Sequence, residues 1–410
     1  MVDVLNAVRI GGASSRQEVA NHTGLGRAAV AQRVSDLVDV GLITETGVGP
    51  STGGRPPRHL SFRTDAGHLL VGYLGATSLD VALVTAGEQI LARCSEPIDI
   101  ASGPDVVLDR LEMLFDAVRE EAGRPAGPLW GIGVAVPGPV EFSSGRPIAP
   151  PIMPGWDRYP LRERLTHRFR VPVWVDNDVN AMAVGEWRHG VAQGHKNVVF
   201  LKIGTGIGAG LISDGRLHRG AQGSAGDVGH IQVTDDPSIV CRCGNLGCLE
   251  AIAGGGALAR DGERATRDGR SAWLSQVLTS SGTVTARDLA EGATHGDVAS
   301  IELLRACGQH VGLTLAGIVN FFNPSLIVIG GGVAEAGDLL LAALRQVIYG
   351  RSLPLATRSL VIARSSLGDL AGLLGLATMV LDELFSPELL PIWIGEGRPA
   401  ILAVELAGRG

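Results

Sequence analysis

The sequence predicts an α/β protein in which an N-terminal winged helix-turn-helix precedes a larger, two-lobed α/β body. Three observations carry this expectation. The first sixty-odd residues read as three short helices followed by a turn-rich hairpin. From about residue 64 the pattern changes to strands alternating with helices. Two of the later hairpins, 68–84 and 197–215, turn on small residues in echoing motifs, Gly75-Ala76-Thr77 and the Gly204–Gly210 run GTGIGAG. That echo suggests two related lobes facing a cleft.

In the N-terminal segment, Val4, Leu5, Val8 and Ile10 mark a first helix that breaks at Gly11-Gly12. Ser14 or Ser15 can cap the second, with Glu18 three residues after Ser15 as in a capping box. Gly24 stops it. The third helix carries Ala29, Val30, Val34, Leu37 and Val38 on one face and ends at Gly41. Residues 42–46 and 59–63 read as paired strands, and the Gly- and Pro-rich stretch between them cannot be helix. A helix-turn-helix needs a small residue where its helices cross and Gly in its turn; Ala20 and Gly24 supply both. Arg27, Ala28, Gln32 and Arg33 are the expected exposed positions near the start of the third helix. Arg and Gln are the side chains that read guanine and adenine edges.

Charge supports this assignment. The whole chain has a net charge of −7, which argues against indiscriminate polyanion binding. Residues 1–63 hold seven Arg against five Asp and Glu, a balance of +2. From Gly47 to Arg63 there are three arginines (Arg55, Arg58 and Arg63) and no acid, so Arg55 and Arg58 are candidate DNA contacts of the wing. The opening residues lack a basic leader and place Asp3 inside the apolar run, and the apolar stretch 371–380 is too short to span a bilayer. The expectation is a soluble, cytoplasmic protein with no membrane partner.

In the body, 130–138 and 171–178 read as buried strands ending in loops. A long helix over 301–322 stops at Asn323-Pro324, and 326–332 is a strand ending in a glycine loop. Asp176, Asn177, Asp178 and Asn180 follow a strand, where α/β proteins tend to bind ligands. A carboxylate beside an amide suits a polyol, and Asp178 could act as a general base on a hydroxyl. Helix capping explains the same residues equally well. The glycine turn 204–210 could cradle phosphates, although glycine turns are common in hairpins.

Five cysteines are present, and Cys241, Cys243 and Cys248 cluster within eight residues. In a reducing compartment such a cluster reads as metal ligands before disulfides. His230, eleven residues earlier, is the nearest credible fourth ligand. Four protein ligands leave no place for a reactive water, so the expectation is a structural zinc.

Taken together, these pieces resemble the ROK family of repressors, open reading frames and sugar kinases, over nearly the whole chain to about residue 384. The run Cys241-x-Cys243-Gly244-x-x-Gly247-Cys248-x-Glu250 after Gly229-His230 carries the resemblance most specifically. The N-terminal module with its Gly-Gly-Arg-Pro-Pro wing is similar to the repressor branch. The resemblance implies an actin/hexokinase-like fold, with Asn177, Asp178, Asp227, His230 and Glu250 at a sugar. Asp178 would be the catalytic base in a kinase, and His230 serves zinc, sugar or both. If nucleotide is bound with Mg²⁺, Gly75, Thr77, Gly204, Thr205, Gly206, Gly208 and Gly331 would meet its phosphates. Two positions depart from the family pattern. Tyr73 stands where kinases carry a phosphate-loop Asp, and Asp227 where a Glu is expected. A neutral phenol cannot organise Mg²⁺ and phosphate.

The expectation is therefore a sugar- or sugar-phosphate-responsive DNA-binding repressor, a homodimer or larger on a palindromic operator. Its alternative is an ATP-dependent, glucokinase-like sugar kinase with a DNA-binding appendage. The expected units are a head of residues 1–63, lobes of 64–186 and 187–370, and a terminal segment 371–410 whose helix returns to the first lobe.

Overall fold

The computed structural model describes residues 1–47, 58–123, 127–396 and 399–403. The head consists of α1 (Val2–Arg9), α2 (Arg16–Thr23), α3 (Arg27–Asp39) and an antiparallel ribbon of β1 (Ile43–Thr46) and β2 (His59–Phe62). Val4, Leu5 and Val8 of α1, Val19 of α2 and Val30, Val34 and Leu37 of α3 form its core. Spacings of four and three put the α3 residues on one helical stripe. Ala29 lies about 100° away from Val30 around the helix and faces outward, contrary to the sequence expectation. Ile10 lies beyond the end of α1 and is exposed. Ser15 caps α2 by accepting from the Glu18 amide, but the Glu18 carboxylate turns back to the N–H and hydroxyl of Ser14 instead of completing a box with Ser15. Gly24 closes α2 in the left-handed region, φ +68°, which Gly enters at little cost.

The first lobe begins with a meander of β3 (His68–Leu74), β4 (Ser78–Thr85) and β5 (Ile90–Pro97), followed by α4 (Pro104–Glu121) and β6 (Leu129–Val136). A short ribbon of β7 (Val140–Glu141) and β8 (Arg146–Pro147) leads to α5 (Leu161–Phe169), β9 (Val173–Asn177) and α6 (Asp178–His189). The sheet order is β5-β4-β3-β6-β9, with β6 parallel to β3 and β9 parallel to β6.

The second lobe repeats this plan. β10 (Val198–Ile203), β11 (Ile207–Ser213) and β12 (Arg216–Leu217) form its meander. Helices α7 (Leu249–Ala253), α8 (Gly255–Arg267), α9 (Ala272–Ser281), α10 (Ala286–Thr294) and α11 (Val298–Phe322) come next. β13 (Leu326–Gly330), α12 (Asp338–Arg351), α13 (Pro354–Thr357) and β14 (Val361–Arg364) complete it. Its order, β12-β11-β10-β13-β14, has the same alternation of antiparallel and parallel pairs as the first sheet. β3 and β13 are buried along their whole length, which explains their apolar composition apart from His68 at the start of β3. α11 starts three residues before Ile301, where Asp297 caps it by accepting from the Ser300 amide, and it ends at Asn323 in the left-handed conformation.

α14 (Leu370–Leu384) then crosses to the first lobe, followed by α15 (Leu390–Trp393). α14 lies on β6, where a Cβ on Gly133 would come within 2.9 Å of Val380. It crosses α6 at small residues, since a Cβ on Gly375 would stand 1.7 Å from the Ala181 carbonyl and one on Gly185 2.0 Å from that of Ala371.

Two features tie the parts together. Glu186, fully buried in α6, accepts from the Val191 amide at 2.9 Å on the chain leaving the first lobe. It also accepts from the Ser365 hydroxyl (2.6 Å) and the Ser366 and Leu367 amides (2.7 and 2.8 Å) on the chain returning to it. One carboxylate thus clasps both crossovers. At the other end of α14, Asp382 accepts from Arg9 of the head and from Arg188 of α6. Phe385 sits 5.9 Å from both Phe62 of the head and Trp130 of the first lobe, with the Arg9 guanidinium 5.1 Å from its ring. Among the described residues no helix is long and apolar enough to cross a membrane.

Candidate functional site: a two-lobed cleft with a cysteine–histidine cluster on its wall

A cleft of about 880 Å³ opens between the two sheets. The β3–β4 turn brings Gly75 and Thr77 to it, and the N-terminus of α6 brings Asn177 and Asp178. From the second lobe, the β10–β11 turn contributes Gly204, Thr205, Gly206 and Gly208, and Gly331 enters at the end of β13. Asp227, His230 and Glu250 complete the wall. All twelve residues expected at sugar or phosphate therefore line one cavity.

Their surroundings separate them. Asn177 is the N-cap of α6: its Oδ1 accepts from the Val179 amide (2.9 Å) and its Nδ2 donates to the Gly138 carbonyl (2.8 Å). Capping and cleft lining thus coexist in one side chain. Asp176 turns away from the cavity, toward Asn180 and Arg219. The Gly204 amide donates to the Gly206 carbonyl at 2.9 Å and the Gly75 amide to that of Ser78 at 2.8 Å. Both are occupied within their own turns, which reduces what these loops can offer a phosphate. Gly331, at φ +85°, lies so close to β10 that a Cβ would stand 2.5 Å from the Ile203 carbonyl. Glu250 accepts from the Ile207 amide (3.1 Å) and from Arg242 (3.2 Å), which fixes its carboxylate against the β10–β11 turn. Burial raises the carboxyl pKa of Asp227 above its ordinary value.

Beside Asp178 stands a residue that sequence reasoning missed. The Lys202 ammonium donates to the Asp178 carboxylate and, at 2.9 Å, to the Tyr73 hydroxyl. The Tyr73 hydroxyl in turn lies 3.5 Å from the same Asp178 oxygen. Burial raises the Tyr73 pKa well above its ordinary value, so the phenol stays neutral. Burial alone would lower that of Lys202; the adjoining Asp178 carboxylate and Tyr73 overcome it and hold the lysine charged. The available signal was a lone cation inside the apolar strand run Val198–Ile203, directly before a glycine turn.

On the same wall, one ligand atom from each of His230, Cys241, Cys243 and Cys248 lies within 4.8 Å of all the others. Cys243 and Cys248 have their sulfurs 3.7 Å apart, and the Cys241 sulfur is 3.6 Å from His230 Nδ1. Tetrahedral zinc with bonds of about 2.3 Å to sulfur and 2.0 Å to nitrogen requires separations of about 3.8 and 3.5 Å. The donor set fits such an ion. Burial pushes the Cys248 thiol up to about 12, and a divalent cation would remove that penalty by stabilising the thiolate. His230 Nδ1 faces the cysteines, while its Nε2 lies 3.8 Å from Asp227 on the cleft side.

In the head, Arg27, Ala28 and Gln32 are exposed on α3 as expected, and Gln32 donates to Asp36 at 2.8 Å. Arg33 departs from expectation: it is half-buried, and its charge helps to depress the Met1 amino pKa, second to burial. It lies next to the buried Val34 and Val30 on the flank of the core stripe. Arg58 is exposed and pairs with Glu45 at 3.2 Å. Arg55 lies outside the described residues.

The model of the ROK family matches residues 73–383. A xylose repressor of Caldicellulosiruptor bescii is 33% identical over 380 residues, covering 91% of this chain and 92% of that protein. A glucokinase of Halalkalibacterium halodurans is 30% identical, over 76% of this chain and 94% of that enzyme. The solved structure of a ROK family transcriptional regulator, a homologue of the Escherichia coli Mlc protein, is 27% identical. It superposes with a TM-score of 0.83, covering 96% of this chain and 98% of its own. With the cleft, the cysteine–histidine cluster and these likenesses in agreement, the chain belongs to the ROK family.

Proposed function

We propose that this protein is a sugar-responsive transcriptional repressor. The observation that carries the reading is the helical head docked, through Arg9 and Asp382, on the helix whose other end lines the cleft. Repressor relatives that align with nine-tenths of the chain support it. In this reading α3 enters the major groove with Arg27 and Gln32 toward the bases, and Arg55 and Arg58 hold phosphates. A homodimer presents two such heads to a palindromic operator in the cytoplasm. Asn177, Asp178, Asp227, His230 and Glu250 hold the sugar or sugar phosphate. A structural zinc on His230, Cys241, Cys243 and Cys248 braces the wall. The working units are the head 1–63, lobes 64–186 and 187–370, and the returning segment 371–410.

A second reading, an ATP-dependent sugar kinase, is favoured by the glycine turn 204–210 and by the position of Asp178. Gly75, Thr77, Gly204, Thr205, Gly206, Gly208 and Gly331 would then face the nucleotide phosphates and Mg²⁺. Tyr73 and Lys202 weigh against it, because they surround the base with a neutral phenol and a fixed cation. Gel-shift titrations on the protein's own upstream DNA, with and without a monosaccharide panel, test the first reading. A coupled ATP-to-ADP assay on the same panel tests the second. Sugar-dependent DNA binding with no turnover is the expected result; turnover of roughly 1–100 s⁻¹ would reverse the ranking.

A further inference from the structure

We propose that Lys202 is a tethered cation that takes the place of a divalent metal beside Asp178, making the cleft a metal-independent receptor for an uncharged polyol. The inference rests on the reading of this cleft as a sugar site and names the ligand's charge class.

The geometry begins with the three side chains. The Lys202 ammonium reaches the cleft from β10 and is bonded to both Asp178 and the Tyr73 hydroxyl. Asp178 is nearly inaccessible, with its side chain 5% exposed, so its charge needs a partner within reach. Tyr73 is neutral and offers none. A divalent ion on the Asp178 oxygen that Lys202 occupies would stand close to the ammonium, and two positive centres repel strongly at low dielectric.

Charge also argues against a phosphorylated ligand. Around this group Asp80, Asp178, Asp227 and Glu250 are the acids, Asp80 being paired with Arg93. The Lys202 charge is taken up by Asp178, and that of Arg242 by Glu250. A dianionic phosphate here would meet no unpaired cation and would face Asp227; Arg364, the cleft-lining cation with no acid partner among the described residues, stands at the end of β14 in the second lobe. A hydroxyl can donate to the free lone pairs of Asp178 or Asp227 without disturbing the pair, so an uncharged polyol fits the balance.

Two measurements on the full-length protein with its native metal test the inference. The first is Mn²⁺ titration followed by water-proton relaxation. Wild type is expected to take up no Mn²⁺ that Asp178→Asn removes, whereas Lys202→Met, with Asp178 uncompensated, gains such a site. The second is calorimetry with xylose, glucose and N-acetylglucosamine and their phosphate esters, with and without millimolar Mg²⁺. The bound sugar is expected to bind wild type equally with and without Mg²⁺, and its ester at least tenfold more weakly. Wild-type Mn²⁺ uptake that depends on Asp178 would overturn the proposal, as would an ester that binds more tightly than its sugar; both arms use wild type and stand even if Lys202→Met does not fold. If no compound in the panel binds, the sugar reading of the cleft fails, while the Mn²⁺ result still decides the role of Lys202.

Discussion

Replacing Glu186 with Gln should loosen the junction between the lobes while leaving each lobe folded. The wild-type carboxylate receives five hydrogen bonds: from the Val191, Ser366 and Leu367 amides and the Ser365 and Ser366 hydroxyls. A glutamine oxygen placed where Oε1 stands can keep three of these as neutral bonds. Its NH₂ then faces the Val191 amide, donor against donor, while the Ser366 hydroxyl can turn to accept. The Val191 amide loses its carboxylate bond and keeps only its 3.1 Å bond to the Ser366 hydroxyl, and three charge-assisted bonds are weakened. The total is roughly 2–4 kcal/mol of local opening energy, since contacts within each lobe are untouched. At about 1.4 kcal/mol per decade, amide exchange at Val191, Ser366 and Leu367 should accelerate about 30- to 900-fold. Amides in the middle of β3 and β13 should keep their wild-type rates. Gly190→Ala should reproduce the effect, because its Cβ would come 2.0 Å from the Glu186 Oε2. Exchange at these three amides within threefold of wild type in both variants would refute the clasp.

The other predictions concern the metal, acid stability and DNA. Protein purified without added metal should contain about one zinc per chain by elemental analysis, and Cys243→Ser should lower this below about half. Full occupancy in the variant would remove Cys243 from the ligand set. Burial lowers the His68 pKa from 6.5 to about 4, with Arg119 adding to the effect. The folded state thus resists protonation, and stability present above about pH 6.5 is lost as pH falls toward 4. The loss is about 2 kcal/mol at pH 5, and His68→Leu should flatten this limb in urea titrations at pH 7.5 and 5. A slope unchanged by the substitution would place the acid sensitivity elsewhere. On DNA, Gln32→Ala should lose roughly 1–3 kcal/mol of preference for operator over scrambled sequence. Arg58→Ala should weaken both alike and reduce the salt dependence. Equal losses on both sequences for Gln32→Ala would move base reading to another face of α3.

Much of the fold was legible because its signals are local. The glycine turns, the cap at Ser15 and the left-handed Gly24 depend on near neighbours in the chain, and so does the His230–Cys248 run. The unread parts depend on contacts between distant segments. Lys202 resembles an ordinary strand residue until β3 and α6 set Tyr73 and Asp178 against it, 129 and 24 positions away. Glu186 reads as a surface acid late in a helix, and only the return of the chain at Ser365–Leu367 makes it a buried acceptor. Arg33 was misplaced for a related reason. Helical periodicity identifies the stripe that faces the core, but a flanking position is assigned by its neighbours, here the amino end of α1. Ala29 was counted with that stripe although it sits about 100° from Val30, and a single methyl group adds little to the burial that orients a helix.

The path of α14 has a mechanical consequence. About thirteen residues separate Asp369, on the cleft wall, from Asp382, which holds the head, a span of about 20 Å at 1.5 Å per residue. A lever of that length turns a tilt of about 5° at the cleft into a displacement of about 1.7 Å at Asp382. That travel is enough to take a hydrogen bond from its optimal length to beyond its useful range. The head would therefore register a small angular change at the cleft, with the helix acting as a pointer whose far end moves most.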